Sequence, residues 1–162
     1  MTAPARLSTR FADETDIDAV AELLRAMDAY YGDPLPALED YVAMIARTMA
    51  QEEGTRFVLC RHEGKLAGLA CFAVLRPGQE LSGLLFVKDL FVRDGLRSRG
   101  LGRELMRFIA DFAVSAGIGR VDLATAQDNH GARKLYERLG GVLATAVYYS
   151  FPKSALRKLT ES

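Results

Sequence analysis

An arginine- and glycine-rich turn follows an apolar, strand-like run near the middle of the chain. The run covers residues 86–92, and the turn leads into an amphipathic segment that begins at Gly100. Backbone N–H groups in the first turn of a helix lack partners within the helix, and the helix macrodipole adds positive charge there. Phosphate oxygens accept hydrogen bonds from such groups, and glycine lets them approach the main chain. The order strand, basic turn, helix therefore predicts a phosphate-binding site.

The same stretch carries a local excess of positive charge. Residues 88–107 contain six basic and three acidic side chains, whereas the whole chain of 162 residues has a formal net charge of zero. A nucleic-acid-binding domain usually carries a broad basic excess. The charge balance therefore argues against a nucleic-acid partner and is compatible with a small basic pocket.

Composition and segment patterns favour a single domain over residues 1–162. About half of the residues are apolar (49%), which is enough for a sizeable core. No apolar run approaches the roughly 20 residues that span a bilayer, and the N-terminus lacks a secretory pattern. We therefore expect a cytoplasmic protein with no membrane partner.

Other kinds of reactive site have no matching pattern. Cys60 and Cys71 lie in apolar strand-like stretches without the close Cys/His spacing of a zinc site, so we interpret them as reduced core thiols and expect no metal. The chain has no GxSxG nucleophile motif and no GxxxxGK[ST] phosphate loop. After Gly100 and Gly102 it also lacks the third glycine of a dinucleotide-binding GxGxxG turn.

The elements that must position the turn form an α/β pattern. Alternation and β-propensity predict strands at 6–12, 55–61, 65–75, 86–92, 121–126 and 142–151, the last of them bent. Helical spacing predicts four helices, at about 13–31, 36–49, 101–116 and 130–139, and a basic tail follows from about residue 152. This order predicts a layered α/β fold with a mixed sheet.

Two motifs in this arrangement resemble those of the GNAT superfamily of N-acetyltransferases. The family's Q/R-x-x-G-x-G/A turn is matched by residues 97–102, R-S-R-G-L-G, and its N-x-x-A-x-x-L-Y-x-x-x-G segment is matched by residues 129–140. The resemblance implies a GNAT fold, with a mixed, mostly antiparallel sheet of six to seven strands flanked by four helices. It also implies acetyl-CoA as cosubstrate and a homodimer.

The resemblance assigns the cofactor-binding residues. It implies that the coenzyme A pyrophosphate is held by Arg97, Ser98, Arg99, Gly100, Leu101, Gly102 and Arg103, and that the main chain of Leu90, Phe91 and Val92 pairs with the pantetheine arm. One of these N–H groups would also polarise the acetyl carbonyl. Asn129 either contacts the pantetheine or caps the following helix. The alternative for the turn is a solvated basic loop.

The resemblance also suggests the groups that move protons. Tyr136 is the candidate general acid for the departing thiolate, because a phenol is protonated at neutral pH; the alternative is a structural tyrosine on the apolar stripe of its helix. Asp89 is the candidate base for the acceptor ammonium, directly or through water. The alternative for Asp89 is a structural ion pair, with strand alternation turning it away from the pocket.

The acceptor is predicted to be a primary amine of a small molecule. Residues 89–92, D-L-F-V, and the tyrosines at the end of the first helix look most like small-molecule acetyltransferases of the diamine or amino-acid type. Tyr30 and Tyr31 would hold an ammonium by cation–π attraction, unless they only pack. Lys88 replaces an acidic residue frequent in polyamine-acetylating relatives, which argues against a polycation.

The predicted reaction is direct acetyl transfer in a ternary complex, because no cysteine nucleophile stands beside the motifs. Two alternatives remain at this point. One is a protein or peptide N-acetyltransferase, and the other is a non-catalytic acyl-CoA-binding regulatory module.

Overall fold

Five strands lie in chain order across one sheet in the computed structural model, which describes residues 6–51 and 54–161. They are β1 (Leu7–Phe11), β2 (Arg56–His62), β3 (Lys65–Leu75), β4 (Leu84–Val92) and β5 (Arg120–Leu123). The first four pair antiparallel, and β5 runs parallel to β4. The sheet is mixed and mostly antiparallel, as predicted. Residues 1–5, 52, 53 and 162 of the predicted domain lie outside the described residues.

Helices cover both faces of this sheet. They are α1 (Ile17–Tyr31), α2 (Leu38–Met49), α3 (Leu101–Ser115), α4 (His130–Arg138) and α5 (Lys153–Thr160). A short 3-10 helix, Glu14–Asp16, leads into α1, and the Asp13 side chain caps it by accepting from the Thr15 N–H. α1 ends where Gly32 takes a left-handed conformation, with φ of 74°. The predicted helix boundaries therefore hold to within a few residues for α1 to α4.

Two apolar layers separate the helices from the sheet. One lies between the sheet and α3 and includes Phe72, Leu85, Leu105 and Ile109. The other lies between the opposite face and α1 and α2, and it includes Val20, Leu23, Ile45, Leu69 and Phe91. These layers bury the apolar faces of α1, α2 and α3, whereas α4 contributes no residue to them.

A bulge in β4 changes which face its side chains meet. Cys71 of β3 pairs with Asp89, whereas the next residue, Phe72, pairs with Val87, so Lys88 has no opposite residue. Val87 belongs to the layer under α3, whereas Phe91 belongs to the layer under α1 and α2. The extra residue therefore turns Asp89 and Phe91 to the face that α1 covers.

The structure corrects the predicted ends of the fold. Over the described residues it has five strands and five α-helices instead of six to seven strands and four helices. β5 ends at Leu123 instead of residue 126. Residues 142–151, predicted to be a strand, have no regular secondary structure, are exposed and pair with no described strand. They have strand-forming side chains, but a strand also requires a hydrogen-bonding neighbour. The basic tail forms α5.

Among the helices of the described residues, none combines the length and the apolar character needed to cross a bilayer.

Candidate active site

A cleft opens where β4 and β5 part. Their pairing ends at Val87 and Leu123, so among the described strands residues 89–92 pair only with β3. The other edge of this stretch faces the opening with main-chain groups that no strand uses. The predicted phosphate turn follows directly after Val92, so the open edge and the turn are continuous along the chain.

The turn brings an uncapped helix start to this cleft. Gly100 precedes α3 with φ of 83°, a left-handed conformation that glycine adopts without strain, and no described side chain caps the helix. Ser98 is also left-handed, with φ of 63°. Arg99 and Arg103 are exposed on either side of the helix start. N–H donors and exposed positive charges therefore lie together on one small surface.

Gly102 also has a packing role at the start of α3. A β-carbon at this residue would lie 2.9 Å from Cδ2 of Leu135 on α4. The absent side chain makes room for α4 rather than only for a phosphate. The two motifs found in the sequence therefore meet in space. Leu135 makes this contact, whereas the sequence alone placed it only on an apolar stripe.

Arg97 is turned towards the end of α1. Its guanidinium carbon lies 3.9 Å from the centroid of the Tyr30 ring. One Nη group donates to the Tyr30 hydroxyl, and Nε donates to the carbonyl of Val92 at 3.3 Å. Arg97 therefore joins the end of β4, the turn and α1, a set of contacts that the spacing of the arginines did not indicate.

Tyr30 and Tyr31 form an aromatic wall beside the strand. Their rings meet edge to face with centroids 5.1 Å apart, and the Tyr30 ring lies 6.3 Å from that of Phe91. Both tyrosines are about half exposed, at 48% and 52%. The buried Phe91 ring packs against the Tyr30 ring, and both tyrosines are also in contact with solvent. They are not packed as core tyrosines.

Tyr136 projects from α4 towards this wall. It is half-buried, and its hydroxyl forms no hydrogen bond to another described residue. Burial raises the pKa of the Tyr136 phenol, and the nearby Tyr31 raises it further. The phenol is therefore protonated throughout the neutral range.

Asp89 lies on the side of the sheet that faces α1. Its side chain is 18% exposed and forms an ion pair at 3.3 Å with Lys88, which is itself largely exposed. The Cys71 thiol donates to the same carboxylate at 3.1 Å. Burial raises the pKa of Cys71 far above its usual range, and the Asp89 charge raises it further. Cys71 therefore stays a protonated thiol.

The predicted site residues fall into two groups. The first group contains the turn, the aromatic wall and Tyr136. Arg97 of the turn contacts Tyr30, Tyr30 contacts Tyr31, and Tyr31 lies near Tyr136. The second group contains Lys88 and Asp89, which precede Phe91 in β4. No hydrogen bond joins Asp89 to Tyr136 in the described part of the chain. The Cys71 partner of Asp89 was recognised only as a core thiol, because its position opposite Asp89 depends on the bulge.

Asn129 caps the helix that carries Tyr136. Its Oδ1 accepts from the Ala132 N–H at 3.2 Å, at the first turn of α4. This hydrogen bond accounts for the side-chain oxygen and sets the start of α4. Asn129 therefore stabilises the start of the helix that carries Tyr136.

An open groove of about 450 Å³ also runs along α1 and contains none of the predicted site residues. It is lined mainly by the side of α1 that carries Asp18, Glu22 and Arg25, and it shares only Arg93 with the end of β4. Arg93 forms an ion pair with Glu22 there. The groove is therefore separate from the cleft.

Comparison with known proteins gives matches over most of the chain. The family model described as "Acetyltransferase (GNAT) family" matches residues 19–141. A protein from Azospirillum brasilense named "IAA acetyltransferase" is 31% identical over 76% of this chain and 76% of its own length. A "Streptothricin acetyltransferase" from Streptomyces lavendulae is 37% identical over 52% of this chain and 42% of its own length.

A solved structure has the same overall arrangement. It is an integron cassette protein from the mobile metagenome of V. cholerae, 26% identical in sequence, with a TM-score of 0.84. The match covers 96% of this chain and 98% of that protein. The arrangement of sheet and helices described above is therefore that of a known fold.

Proposed function

This chain belongs to the acetyltransferase (GNAT) family and is an acyltransferase that uses acetyl-CoA, and we propose that it acetylates a primary amine of a small molecule. The observation that carries the proposal is the open edge of β4, which runs into the uncapped start of α3. Acetyl-CoA is a long thioester that ends in phosphates. Its arm can pair with the open main chain of β4, and its phosphates can accept hydrogen bonds from the N–H groups at the start of α3.

The described residues fit coenzyme A. Acetyl-CoA supplies an activated acetyl group with a thiol leaving group. The N–H groups at the start of α3 would hold its phosphates, with Arg99 and Arg103 adding charge. The open main chain of Leu90, Phe91 and Val92 would pair with its amide-containing arm. Gly100 has no neighbouring atom within 4 Å of the place where a β-carbon would stand, so the helix start is accessible.

Direct transfer between the two substrates suits the chemistry of this site. The amine nitrogen forms a bond to the acetyl carbon as the carbon–sulfur bond breaks, and the departing sulfur takes a proton while the amine loses one. A covalent acetyl-cysteine would need a thiolate, but burial and Asp89 keep the nearby Cys71 protonated. This supports a ternary complex.

Tyr136 is the proposed proton donor to the sulfur. Its raised pKa keeps the phenol protonated at neutral pH, so a proton is available to the sulfur as the carbon–sulfur bond breaks, and its hydroxyl forms no hydrogen bond to another described residue. Asp89 is the proposed acceptor of the amine proton. The bulge that turns Asp89 towards the side of α1 supports this role, because the aromatic wall lies on the same side.

A small-molecule acceptor is supported by two observations. The names of the two relatives refer to acetylation of low-molecular-weight compounds, not of proteins. The half-exposed Tyr30 and Tyr31 present ring faces and edges beside the cleft, which suit an ammonium. We also propose that the enzyme is a cytoplasmic, single-domain protein that forms a homodimer.

A thiol-release assay tests the proposed function. Purified protein is mixed with acetyl-CoA and a panel of primary amines, amino acids, diamines and short peptides, and free coenzyme A is followed with a thiol reagent. We expect release that depends on a small amine, and mass spectrometry should show the acetylated product. Release only with peptides would contradict the small-molecule acceptor. Binding of acetyl-CoA without turnover on any acceptor would leave a regulatory module.

A further inference from the structure

A buried thiol and a carboxylate lie opposite each other in two neighbouring strands of the sheet. Cys71 of β3 pairs with Asp89 of β4, next to the bulge at Lys88. Residues directly opposite in an antiparallel pair have their side chains on the same face of the sheet. Cys71 is only 4% exposed and belongs to the apolar layer under α1 and α2. The proposed base therefore has a neighbour that is fixed in the interior of the fold.

The Cys71 sulfur makes two contacts with Asp89. Its S–H group donates to Oδ2 of the carboxylate at 3.1 Å. The main chain of Asp89 also forms a hydrogen bond to the sulfur. Burial raises the pKa of Cys71, and the negative charge of Asp89 raises this pKa further. The thiol therefore keeps its proton and acts as a hydrogen-bond donor towards the carboxylate.

Lys88 also contacts the carboxylate of Asp89, but it is held far less firmly than Cys71. Its Nζ lies 3.4 Å from Oδ1 and 3.3 Å from Oδ2, and its side chain is 71% exposed. A lysine ammonium on a flexible, solvated stem contributes little to an ion pair. The ammonium of an acceptor can therefore replace that of Lys88 at the carboxylate, whereas Cys71 is fixed in the sheet.

The hydrogen bond from Cys71 fixes a torsion that the backbone leaves free. The last torsion of an aspartate side chain is broad, so the position of Asp89 in β4 does not by itself orient the carboxylate. A buried donor on Oδ2 orients it and leaves Oδ1 to an incoming amine. Phe91 follows on the same face, and the Tyr30 ring packs against it. The carboxylate that Cys71 holds therefore lies on the side of the sheet where the aromatic wall stands.

We propose that Cys71 is a positioning residue, which holds one oxygen of Asp89 so that the other oxygen takes the proton of the acceptor ammonium. This role rests on the proposed function, in which Asp89 is the base. An N–H bond of the ammonium breaks and an O–H bond forms at Asp89, and the lone pair left on the nitrogen attacks the acetyl carbon. The S–H bond of Cys71 stays intact throughout.

Kinetics of cysteine variants test the role, with the amine that gives the fastest thiol release. Cys71→Ala removes the donor and should lower kcat/KM for the amine by about tenfold or more, while the affinity for acetyl-CoA, measured by calorimetry, should not change. Cys71→Ser restores a donor and should recover part of the loss. Cys60→Ala is the matched control, because it removes the other buried thiol, in the layer under α3, and it should keep the wild-type kcat/KM. A Cys71→Ser enzyme no better than Cys71→Ala would overturn the role.

A double-mutant cycle separates positioning from packing. In an Asp89→Asn background, Cys71→Ala should cost little further activity, because the base that it positions is already gone. A residue that only packs would lower activity by the same factor in both backgrounds. Equal factors would overturn the role, as would full activity of Cys71→Ala beside an impaired Asp89→Asn.

Infrared spectroscopy reads the hydrogen bond without any turnover. The S–H stretching band of Cys71 is identified by its absence in Cys71→Ala. It should move to higher frequency in Asp89→Asn, because a neutral amide oxygen accepts less strongly than a carboxylate. An unmoved band, with an active wild-type enzyme, would overturn the role of Cys71 alone. A wild-type protein that releases no thiol with any amine would overturn the proposed function itself, and the role of Cys71 with it.

Discussion

The guanidinium of Arg97 lies over the ring of Tyr30, 3.9 Å from its centroid, and donates to the same residue's hydroxyl. Arg97 belongs to the turn that we assign to the cofactor, and Tyr30 belongs to the wall that we assign to the acceptor amine. One side chain therefore links the two halves of the proposed site. A substitution at Arg97 should affect both substrates.

Arg97→Ala should raise the KM for acetyl-CoA and the KM for the amine, each by about fivefold or more. The substitution removes a cation–π contact of about 1 kcal/mol that holds Tyr30 in the aromatic wall. Arg99→Ala is the matched control, since Arg99 is exposed in the same turn. It should raise only the KM for acetyl-CoA. Steady-state kinetics with each substrate varied in turn measures both. An unchanged KM for the amine in Arg97→Ala would show that Arg97 does not contribute to binding of the acceptor amine.

Tyr136→Phe should lower kcat by more than about tenfold, because a positioned general acid contributes about 10²–10⁴-fold. Affinity for acetyl-CoA, measured by calorimetry, should change little, since the phenol ring remains in place. The raised pKa of Tyr136 predicts no loss of activity through its ionisation below its ordinary value near 10. Tyr149→Phe, at an exposed residue outside the proposed site, is the control for loss of a hydroxyl. Full turnover in Tyr136→Phe would leave this residue a packing role.

Asp89→Asn should remove the group that takes the amine proton. At neutral pH kcat/KM should fall by about 10²-fold, and it should then rise steadily with pH as the free amine itself becomes more abundant. Lys88→Ala removes the ion pair at 3.3 Å but leaves the carboxylate, so it should stay active. pH–rate profiles of the three proteins distinguish a base from a structural ion pair. An Asp89→Asn enzyme with a wild-type profile would exclude the base.

Gly102→Ala should destabilise the fold by about 1 kcal/mol or more, because the new methyl group meets Leu135 at 2.9 Å. Gly131 is the matched control. It also lies second in its helix, and the nearest atom to its added β-carbon is 4.0 Å away. Gly131→Ala should stabilise by about 0.5–1 kcal/mol through helix propensity.

Urea unfolding of both glycine variants, and of Gly102→Ala combined with Leu135→Ala, measures the coupling between the two residues. The double variant should be more stable than the sum of the single effects predicts. Strict additivity would show that Gly102 and Leu135 do not interact.

Asp16→Asn should cost about 1–3 kcal/mol at pH 7, because Asp16 is nearly buried and accepts two hydrogen bonds from Arg10, at 2.6 and 2.7 Å. The hydrogen bonds from Arg10 hold the pKa of Asp16 below its ordinary value of 3.8. A depressed carboxyl pKa stabilises the native state above the unfolded pKa, and this stability is lost as the pH falls through the folded one.

The difference in unfolding free energy between wild type and Asp16→Asn should therefore be constant near neutrality and shrink below about pH 4. Urea unfolding at a series of pH values measures it. A difference that does not change with pH would assign the cost to lost packing and not to the charge.

The sequence by itself determined the local parts of the site. The glycines and arginines of residues 97–102 indicated a helix start open to phosphate, and the Asn129 motif indicated a capped helix that carries Tyr136. These features depend on backbone conformation and hydrogen bonds within a few residues, so they could be predicted from spacing. The helices α1 to α4 and the strands β2 and β3 followed from apolar periodicity and β-propensity for the same reason.

The tertiary structure decided which residues meet. The bulge at Lys88 turns Asp89 towards α1, and simple alternation along β4 would have placed it on the other face. Contacts between Arg97 and Tyr30, and between Gly102 and Leu135, join segments far apart in the chain. Residues 142–151 have the composition of a strand but form none, because a strand exists only with a hydrogen-bonding neighbour, and no described strand pairs with them.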